Sequence, residues 1–273
     1  MKRKLTIAFL TLTFASSALA MGIESIYTTE AIQSLQLPPG SGTAKGLLGV
    51  IITDSKALAL TLPKGLSLAP ELIQPDGTYP VAMFVGDQTK LSVEVGDRKI
   101  LIEKHYREAT LSMTVVGPKS ADARYTYTSK IVVDSVPAML MGWALGYPKR
   151  LVKARTSDSG FHAEFSKNKP ALDVELADPE TYDVDAFERH YSYLKGQVQP
   201  TIGNTPFGFI CFDFDWNFKQ AKASPVNAVI TFHDAFAGKE LARKYVSPSL
   251  DLTPFGSLRI ESNWRMSAFR KCD

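Results

Sequence analysis

Between residues 79 and 133 the sequence is divided into short runs rich in β-branched and aromatic residues, and this division limits the fold more than any other feature. Each run has the length of one strand, and the runs comprise residues 79–85, 91–95, 99–106, 110–116 and 124–133. Turn-forming residues separate them, as in Pro75-Asp76-Gly77, Gly96-Asp97 and Gly117-Pro118. Strands at this hairpin-like spacing favour an antiparallel barrel or sandwich over repeated βα units.

Strand character continues on both sides of this stretch. Residues 46–53 form an apolar, β-branched run, after which Asp54 caps a predicted short helix over residues 55–62. The pattern also predicts strands over residues 161–165, 172–176, 226–232 and 257–262, and a helix over residues 184–195. The alternation is cleanest in residues 209–218, whose apolar face carries Ile210, Phe212, Phe214, Trp216 and Phe218. The other face carries Cys211, Asp213, Asp215 and Asn217, so it is expected to meet water or a polar cavity.

The N-terminus has the three parts of an export signal. A basic start, Lys2 to Lys4, precedes an apolar segment over residues 5–14 and the small-residue sequence Ala18-Leu19-Ala20. We therefore expect residues 1–20 to be a signal peptide and Met21 to begin a periplasmic or secreted protein without a stable membrane anchor. Residues 21–45 are predicted to be a loosely ordered lead-in, and residues 46–273 a single domain.

Charge and motifs exclude several classes of function. The chain has 31 Lys and Arg residues against 28 Asp and Glu, and removal of the three basic signal residues leaves 28 against 28. A chain without net charge or a basic patch gives no support for nucleic-acid binding. No phosphate loop, dinucleotide fingerprint or Gly-x-Ser-x-Gly motif occurs, and the four His residues lack metal-ligand spacing. We therefore expect neither a cofactor nor a metal.

Two cysteines, Cys211 and Cys272, are present in the whole chain. Export makes a disulfide between them possible, whereas a buried thiol beneath the strand at residues 209–218 is the other interpretation. The sequence leaves both open.

The strongest chemical candidate is Lys149, which a Tyr147-Pro148 bend delivers after the apolar run at residues 137–145. Proline fixes its own φ and restricts the residue before it, so the bend is stiff. Burial and the neighbouring Arg150 are both expected to lower the pKa of Lys149, which favours the neutral, nucleophilic amine. A solvated lysine after a turn is the ordinary alternative.

The Lys149 segment resembles the Schiff-base segment of the acetoacetate decarboxylase family. The resemblance rests on Gly146-Tyr147-Pro148-Lys149-Arg150, which follows Pro137-Ala138 and the apolar run. It extends to Tyr106-Arg107-Glu108, to Asn227-Ala228-Val229-Ile230-Thr231, and to Pro254, Gly256 and Arg259. It covers roughly residue 46 to the C-terminus.

The resemblance implies an α+β fold, mainly antiparallel β, in which a closed barrel-like sheet with a few short helices surrounds a central cavity. It implies a lyase that decarboxylates a small oxo acid through an imine on Lys149, without a cofactor, and a homo-oligomer. Glu108 is then expected to orient the substrate or move protons, and Arg150 to lower the lysine pKa. Lys45, Tyr147 and Trp143 are the expected substrate-binding residues.

The chain departs from the family pattern at three places. No arginine lies near the first strand, where Lys45 is the nearest cation, and Phe84 occupies an acidic position of the second strand. Gly142-Trp143-Ala144 replaces Gly-Arg-Glu before the lysine, with a spacing one residue shorter. Other imine chemistry, such as aldol cleavage or dehydration of a ketone, and a non-catalytic binding protein are therefore the alternatives.

Overall fold

The computed structural model describes residues 39–117, 120, 122–177, 200–205, 208–217, 220–249 and 256–272. The predicted signal peptide, the helix at residues 184–195 and Phe218 lie outside these residues. Most described residues form two sheets. None of the described helices is long and apolar enough to cross a membrane.

The larger sheet has twelve strands. In chain order they are β1 (Gly40–Asp54), β2 (Ser67–Leu68), β3 (Thr78–Val95), β4 (Arg98–Val116), β5 (Arg124–Val133), β6 (Lys149–Leu151), β10 (Thr201–Thr205), β11 (Gly208–Phe212), β12 (Phe214–Trp216), β13 (Lys222–Pro225), β16 (Ser257–Met266) and β17 (Arg270–Lys271). Their spatial order is β12-β16-β1-β3-β4-β5-β10-β11-β17, with β13 beside β16, β2 beside β4 and β6 beside β5. Only the pairs β5–β6 and β5–β10 are parallel among the described strands.

The smaller sheet is antiparallel, with the order β15-β14-β9-β8-β7. Its strands are β7 (Lys153–Ser157), β8 (Gly160–Ser166), β9 (Lys169–Leu176), β14 (Ala228–Phe232) and β15 (Lys244–Ser247). Three short α-helices occur in the described residues, α1 (Ser55–Ala59), α2 (Val136–Ala144) and α3 (Asp234–Ala237), together with a 3₁₀ turn at Pro70–Leu72. The mainly antiparallel β fold with few helices is therefore confirmed.

The large sheet curls without closing. Its hydrogen-bonded path ends at β12 on one side and at β17 on the other, so the described strands form a half-barrel. The expected closed barrel is corrected in this respect. The strand pattern of the sequence could not show this difference, because closure depends on pairing between strands distant in the chain.

The faces of the large sheet have different partners. On β1, β3 and β4, residues such as Leu47, Val85 and Leu111 belong to one buried cluster with Leu172 and Ile230 of the smaller sheet. The opposite, concave face contributes to a second cluster, which includes Phe84, Tyr106, Ile131, Leu258 and Trp264 together with Ala138 of α2. One face therefore packs sheet on sheet, and the other packs on α2 and encloses a cavity.

The long strands merge runs that the sequence divided. Residues 79–85 and 91–95 are both part of β3, and residues 99–106 and 110–116 are both part of β4. Gly86, between the first two runs, marks a close strand contact, since a Cβ there would lie 2.3 Å from the Lys45 carbonyl oxygen. The register between β3 and β4 shifts at Leu91/Ser92, and the register between β4 and β5 shifts at Leu111/Ser112.

Two boundaries near the ends also differ from prediction. β1 begins at Gly40, so the last residues of the predicted lead-in, 40–45, pair with β16 and β3. The strand predicted over residues 209–218 is divided at Asp213, whose carboxylate accepts hydrogen bonds from Arg270.

Cys211 is buried rather than solvent-facing because it forms a disulfide with Cys272. The structure thus selects the disulfide from the two interpretations.

Candidate active site

The residues before Lys149 form a capped helix and a sharp exit. Ser135 caps α2 by accepting a hydrogen bond from the Ala138 N–H. At the other end, the Tyr147 N–H donates to the Gly142 carbonyl (2.9 Å) and the Gly146 N–H to the Trp143 carbonyl (3.1 Å). These two bonds, with Gly146 at φ +70°, form a Schellman motif. Pro148 then prevents further helix, so the chain leaves in an extended direction.

Gly146 has to be a glycine here for a second reason. A Cβ at this position would lie 2.8 Å from the backbone nitrogen of Asn204, whose N–H donates to the Gly146 carbonyl. The turn is thereby attached to β10.

Lys149 begins β6, which runs parallel to β5 with Lys149 beside Ile131. Successive strand residues point to opposite faces, so Lys149 and Arg150 diverge. Lys149 is buried, whereas Arg150 is exposed, with its guanidinium 4.0 Å from the Phe165 ring centroid and donating to the Ala235 carbonyl.

The Lys149 ammonium donates a 2.6 Å hydrogen bond to Glu108 Oε2. Only 10% of the lysine side chain and 11% of the glutamate side chain are exposed. Glu108 lies on β4 opposite Gly86 and Val133, and its carboxylate reaches Lys149 across the concave face. A charge at this depth requires a partner, so the pair explains how both groups are tolerated.

Helix α2 makes room for the lysine at Gly142. A Cβ on Gly142 would lie 2.2 Å from Cδ of Lys149 and 2.6 Å from its Cε. The aliphatic part of the lysine therefore lies directly against the helix backbone, and any side chain at this position would displace it.

Two tyrosines border the ion pair and remain neutral at physiological pH. Burial, followed by the nearby Glu108 charge, raises the pKa of Tyr106 well above its ordinary value. Burial and then Glu108 also raise the pKa of Tyr147, an effect that a hydrogen bond with Thr201 partly offsets. The Lys149 Nζ atom lies 5.6 Å from the Tyr106 ring centroid, within cation–π range.

These groups open into a cavity of about 460 Å³ on the concave face. Lys149 and Glu108 are the only charged residues among the described residues of its lining. The rest is aromatic, aliphatic or neutral polar, including Phe84, Gln88, Tyr106, Tyr147, Trp216 and Trp264. A buried amine beside a carboxylate in an apolar cavity is an arrangement suited to carbonyl chemistry.

Comparison with solved structures finds the same chain fold in enzymes of one kind. An acetoacetate decarboxylase-like enzyme from Sphingomonas wittichii RW1 matches with a TM-score of 0.58 at 15% identity, over 92% of this chain and 99% of that one. Acetoacetate decarboxylase from Legionella pneumophila matches with a TM-score of 0.57 at 11% identity, over 86% and 87%. The enduracididine biosynthesis enzyme MppR, in complex with pyruvate, matches with a TM-score of 0.54 at 12% identity, over 90% and 91%.

The chain has the acetoacetate decarboxylase-like fold. No family model matches the sequence. No curated protein matches it either. At these identities the likeness establishes the fold, and the arrangement of Lys149 and Glu108 has to be judged on its own geometry.

Within this acetoacetate decarboxylase-like fold, the predicted site residues separate into two groups. Lys149, Glu108 and Tyr147 meet at the cavity. Lys45 lies on the other face of β1, where it lines a separate cavity of about 450 Å³. Its cross-strand neighbours are Asp87 and Glu261. The expectation that Lys45 holds a substrate next to Lys149 is therefore corrected, because strand alternation directs it away.

Trp143 and Arg150 also lie outside the cavity lining. Trp143 is 52% exposed, and its indole Nε1–H donates a 2.7 Å hydrogen bond to the Lys149 carbonyl. It therefore contacts the backbone of the lysine from the surface instead of contacting a substrate. Arg150 points to the opposite face of β6 from Lys149, so its expected place beside the lysine amine is also corrected.

Sequence reasoning missed one polar pair of the acetoacetate decarboxylase-like cavity. Gln88 is buried, and its side-chain oxygen accepts a 2.9 Å hydrogen bond from Trp264 Nε1–H. Gln88 lies in the polar segment of β3 between the predicted strands at residues 79–85 and 91–95. The available signal was its period-two spacing from Phe84, which places both side chains on the concave face.

Proposed function

We propose that this protein is an imine-forming enzyme that decarboxylates an oxo acid on Lys149. One observation carries the proposal: an amine and a carboxylate lie 2.6 Å apart, both buried, at the wall of an apolar cavity. The solved structures of the same fold, which include acetoacetate decarboxylase, support it.

The short contact supports a direct proton transfer. Lys149 has to lose a proton before it attacks a ketone, and Glu108 Oε2 is in place to accept it. The amine then adds to the carbonyl carbon, and loss of water leaves a protonated imine. Cleavage of the carbon–carboxylate bond releases carbon dioxide, while the bonding electrons form an enamine. Protonation of the enamine carbon and hydrolysis of the imine release the ketone and restore the amine.

Trapping the imine tests the proposal. Incubation with acetoacetate or another oxo acid and borohydride is expected to add one reduced, substrate-derived group to the peptide that contains Lys149. Lys149→Arg is expected to lose both the adduct and carbon dioxide release, because a guanidinium does not deprotonate to attack a carbonyl.

Lys130 provides a demanding control. Burial, followed by the nearby Arg150 charge, lowers the pKa of Lys130. Lys130→Arg is expected to retain the Lys149 adduct.

A protein that no carbonyl compound labels would instead be a binding protein. Two carbonyl fragments would indicate aldol cleavage through the same imine, and an unsaturated product of unchanged carbon count would indicate dehydration.

We also propose that the protein acts outside the cytoplasm. The signal-like segment at residues 1–20 supports this location. The Cys211–Cys272 disulfide supports it independently, since such bonds persist in oxidising compartments. The mass of the protein recovered from the extracytoplasmic fraction tests the proposal, because cleavage before Met21 gives a defined N-terminus.

A further inference from the structure

The cavity is larger than a small oxo acid requires. Its volume of about 460 Å³ corresponds to about fifteen water-sized groups, at about 30 Å³ each. An oxo acid of three or four carbons would fill less than half of this space. The remaining volume is a structural feature that decarboxylation of so small a molecule does not explain.

The cavity is also elongated along the sheet. Tyr106, Glu108, Thr110, Ser112 and Thr114 all line it from the same face of β4. At about 3.4 Å per residue, these positions extend over about 27 Å. Glu108, which marks the position of the Lys149 amine, lies within this row, so the cavity extends from the amine in two directions.

The end beyond Ser112 is lined by hydroxyl groups. Ser112 lies opposite Thr128, and Thr114 opposite Thr126, on the paired strands β4 and β5. Ser112 Oγ and Thr128 Oγ1 are 2.9 Å apart and hydrogen bonded. This bond uses one of their two hydroxyl hydrogens, so the pair retains a donor and acceptor sites for a ligand. At about 3.4 Å per residue along β4, these hydroxyl groups lie about 13 Å or more from Glu108.

The opposite end is aromatic. Trp264 on β16 lies opposite Gly42 of β1, and the register through β3 brings it level with residues 101–105 of β4. Along β4, residues 101–105 precede Glu108, whereas Ser112 follows it, so Trp264 and Ser112 lie on opposite sides of Glu108. Phe214 stacks on Trp264 with ring centroids 5.1 Å apart, whereas the Trp216 ring lies 5.6 Å from Phe84, which is opposite Thr110. All four rings line the cavity.

We propose that the substrate is an elongated carbonyl compound with two unlike arms. Its carbonyl carbon binds at Lys149, an aryl arm packs against Phe214 and Trp264, and the other arm carries a hydroxyl group that binds Ser112 and Thr128. The inference rests on the proposed function for the position of the carbonyl. The ketone form is a suitable probe, because a ketone is a product of decarboxylation and also of aldol cleavage through an imine.

The test compares two ketones that differ by one hydroxyl group. Each has a phenethyl group on one side of the carbonyl, with an ω-hydroxyheptyl or a heptyl chain on the other. Binding is measured by calorimetry on the wild type and on Lys149→Met, which cannot form an imine, and imine trapping by borohydride is measured on the wild type. We expect the hydroxylated ketone to bind about fivefold more tightly, the value of one ordinary hydrogen bond.

Two variants assign the arms. Thr128→Val is expected to remove the preference for the hydroxylated ketone while leaving the affinity for the heptyl ketone unchanged. Phe214→Leu is expected to weaken both phenethyl ketones about fivefold relative to dialkyl ketones of equal length. Thr231→Val, a matched change on β14 of the smaller sheet, is expected to alter neither value. Circular dichroism and the thermal midpoint verify that each variant is folded.

The two proposals fail in different ways. If oxo acids are trapped on Lys149 but neither ketone binds, or both ketones bind equally, the two-armed substrate is overturned while the imine chemistry stands. If the hydroxylated ketone binds with the expected preference but no carbonyl compound is trapped, the imine chemistry is overturned while the two-armed ligand stands.

Discussion

Lys149 Nζ and Glu108 Oε2 are 2.6 Å apart at a depth where about a tenth of each side chain is exposed. Removal of either partner from a buried pair leaves an uncompensated charge. A protonated imine retains the positive charge of the ammonium, so Glu108 stays paired after the substrate is attached. The same contact can thus support the resting protein and the covalent intermediate.

Glu108→Gln separates these two uses of the carboxylate. The amide keeps the shape and can still accept a hydrogen bond, so some borohydride adduct on Lys149 is expected to remain. Carbon dioxide release is expected to slow by about 10²-fold or more, because glutamine cannot take up the proton. Rapid-quench measurement of both rates provides the comparison. Equal rates in variant and wild type would remove Glu108 from proton transfer.

Gly142→Ala is expected to reduce imine formation without weakening helix α2. The new Cβ would overlap Cδ of Lys149 at 2.2 Å, so the lysine has to leave its present position. Alanine stabilises a helix interior by about 1 kcal/mol over glycine, so a loss of activity would not reflect weaker helix formation. Trapping rate and urea unfolding are the two measurements, with Val136→Ala at the exposed start of α2 as control. Unchanged trapping would show that the lysine adapts freely.

Arg150→Gln tests whether Arg150 acts on the Lys149 amine. Its side chain contacts Phe165 and the Ala235 carbonyl on the other side of β6. We expect the Lys149 adduct to form at an unchanged rate, and stability to fall by about 1 kcal/mol from the lost contacts. A tenfold slower adduct would restore Arg150 to the chemistry of the site.

Alkaline pH is expected to destabilise the fold through Tyr106. Burial raises the pKa of Tyr106 above its ordinary value of 10.0. The folded protein then keeps the phenol proton while the unfolded chain releases it above about pH 10. The contribution is full below that pH and declines as pH rises, by up to about 1.4 kcal/mol per unit. Tyr106→Phe is expected to show a shallower decline in urea unfolding between about pH 9 and 11. An equal decline would contradict the assignment.

Reduction of the disulfide is expected to destabilise the protein. Cys211 and Cys272 are 61 positions apart. Closing a loop of this size lowers the conformational entropy of the unfolded chain, which raises its free energy by about 4 kcal/mol at 25 °C. A double change to alanine is therefore expected to lower the unfolding free energy by about 2 to 4 kcal/mol. Dithiothreitol is expected to reproduce this loss in the wild type and to have no effect on the double variant. Equal stability with and without reductant would contradict the prediction.

Local patterns predicted the strands well because alternation and turn residues act over a few positions. The strand at residues 124–133 and the Asp54 cap, which accepts a 2.7 Å hydrogen bond from the Ala57 N–H, are confirmed. Helix α2 gave no clear pattern, since its sequence is apolar around most of its circumference. Tertiary packing, with Ala138 at one side and exposed Trp143 at the other, determines its orientation.

The site was predictable only in part, for a reason that Lys45 and Glu108 illustrate. Lys45 precedes a run in which Leu47, Leu48, Val50 and Ile51 are all apolar, so alternation does not identify the cavity face of β1. Glu108 was found through family resemblance, because 41 positions separate it from Lys149. Their contact depends on β4 pairing with β5 and β5 with β6, which no local pattern encodes.

The hydrogen bond from Trp143 to the Lys149 carbonyl gives the molecule a built-in optical reporter. The indole is half exposed at the surface, while the residue whose backbone it contacts has its amine inside the cavity. A ligand that displaces Lys149 along β6 would stretch this bond and alter the indole's fluorescence without touching the ring. In a variant with Trp216 and Trp264 replaced by phenylalanine, the emission of Trp143 would then follow occupancy of the cavity from outside, in real time.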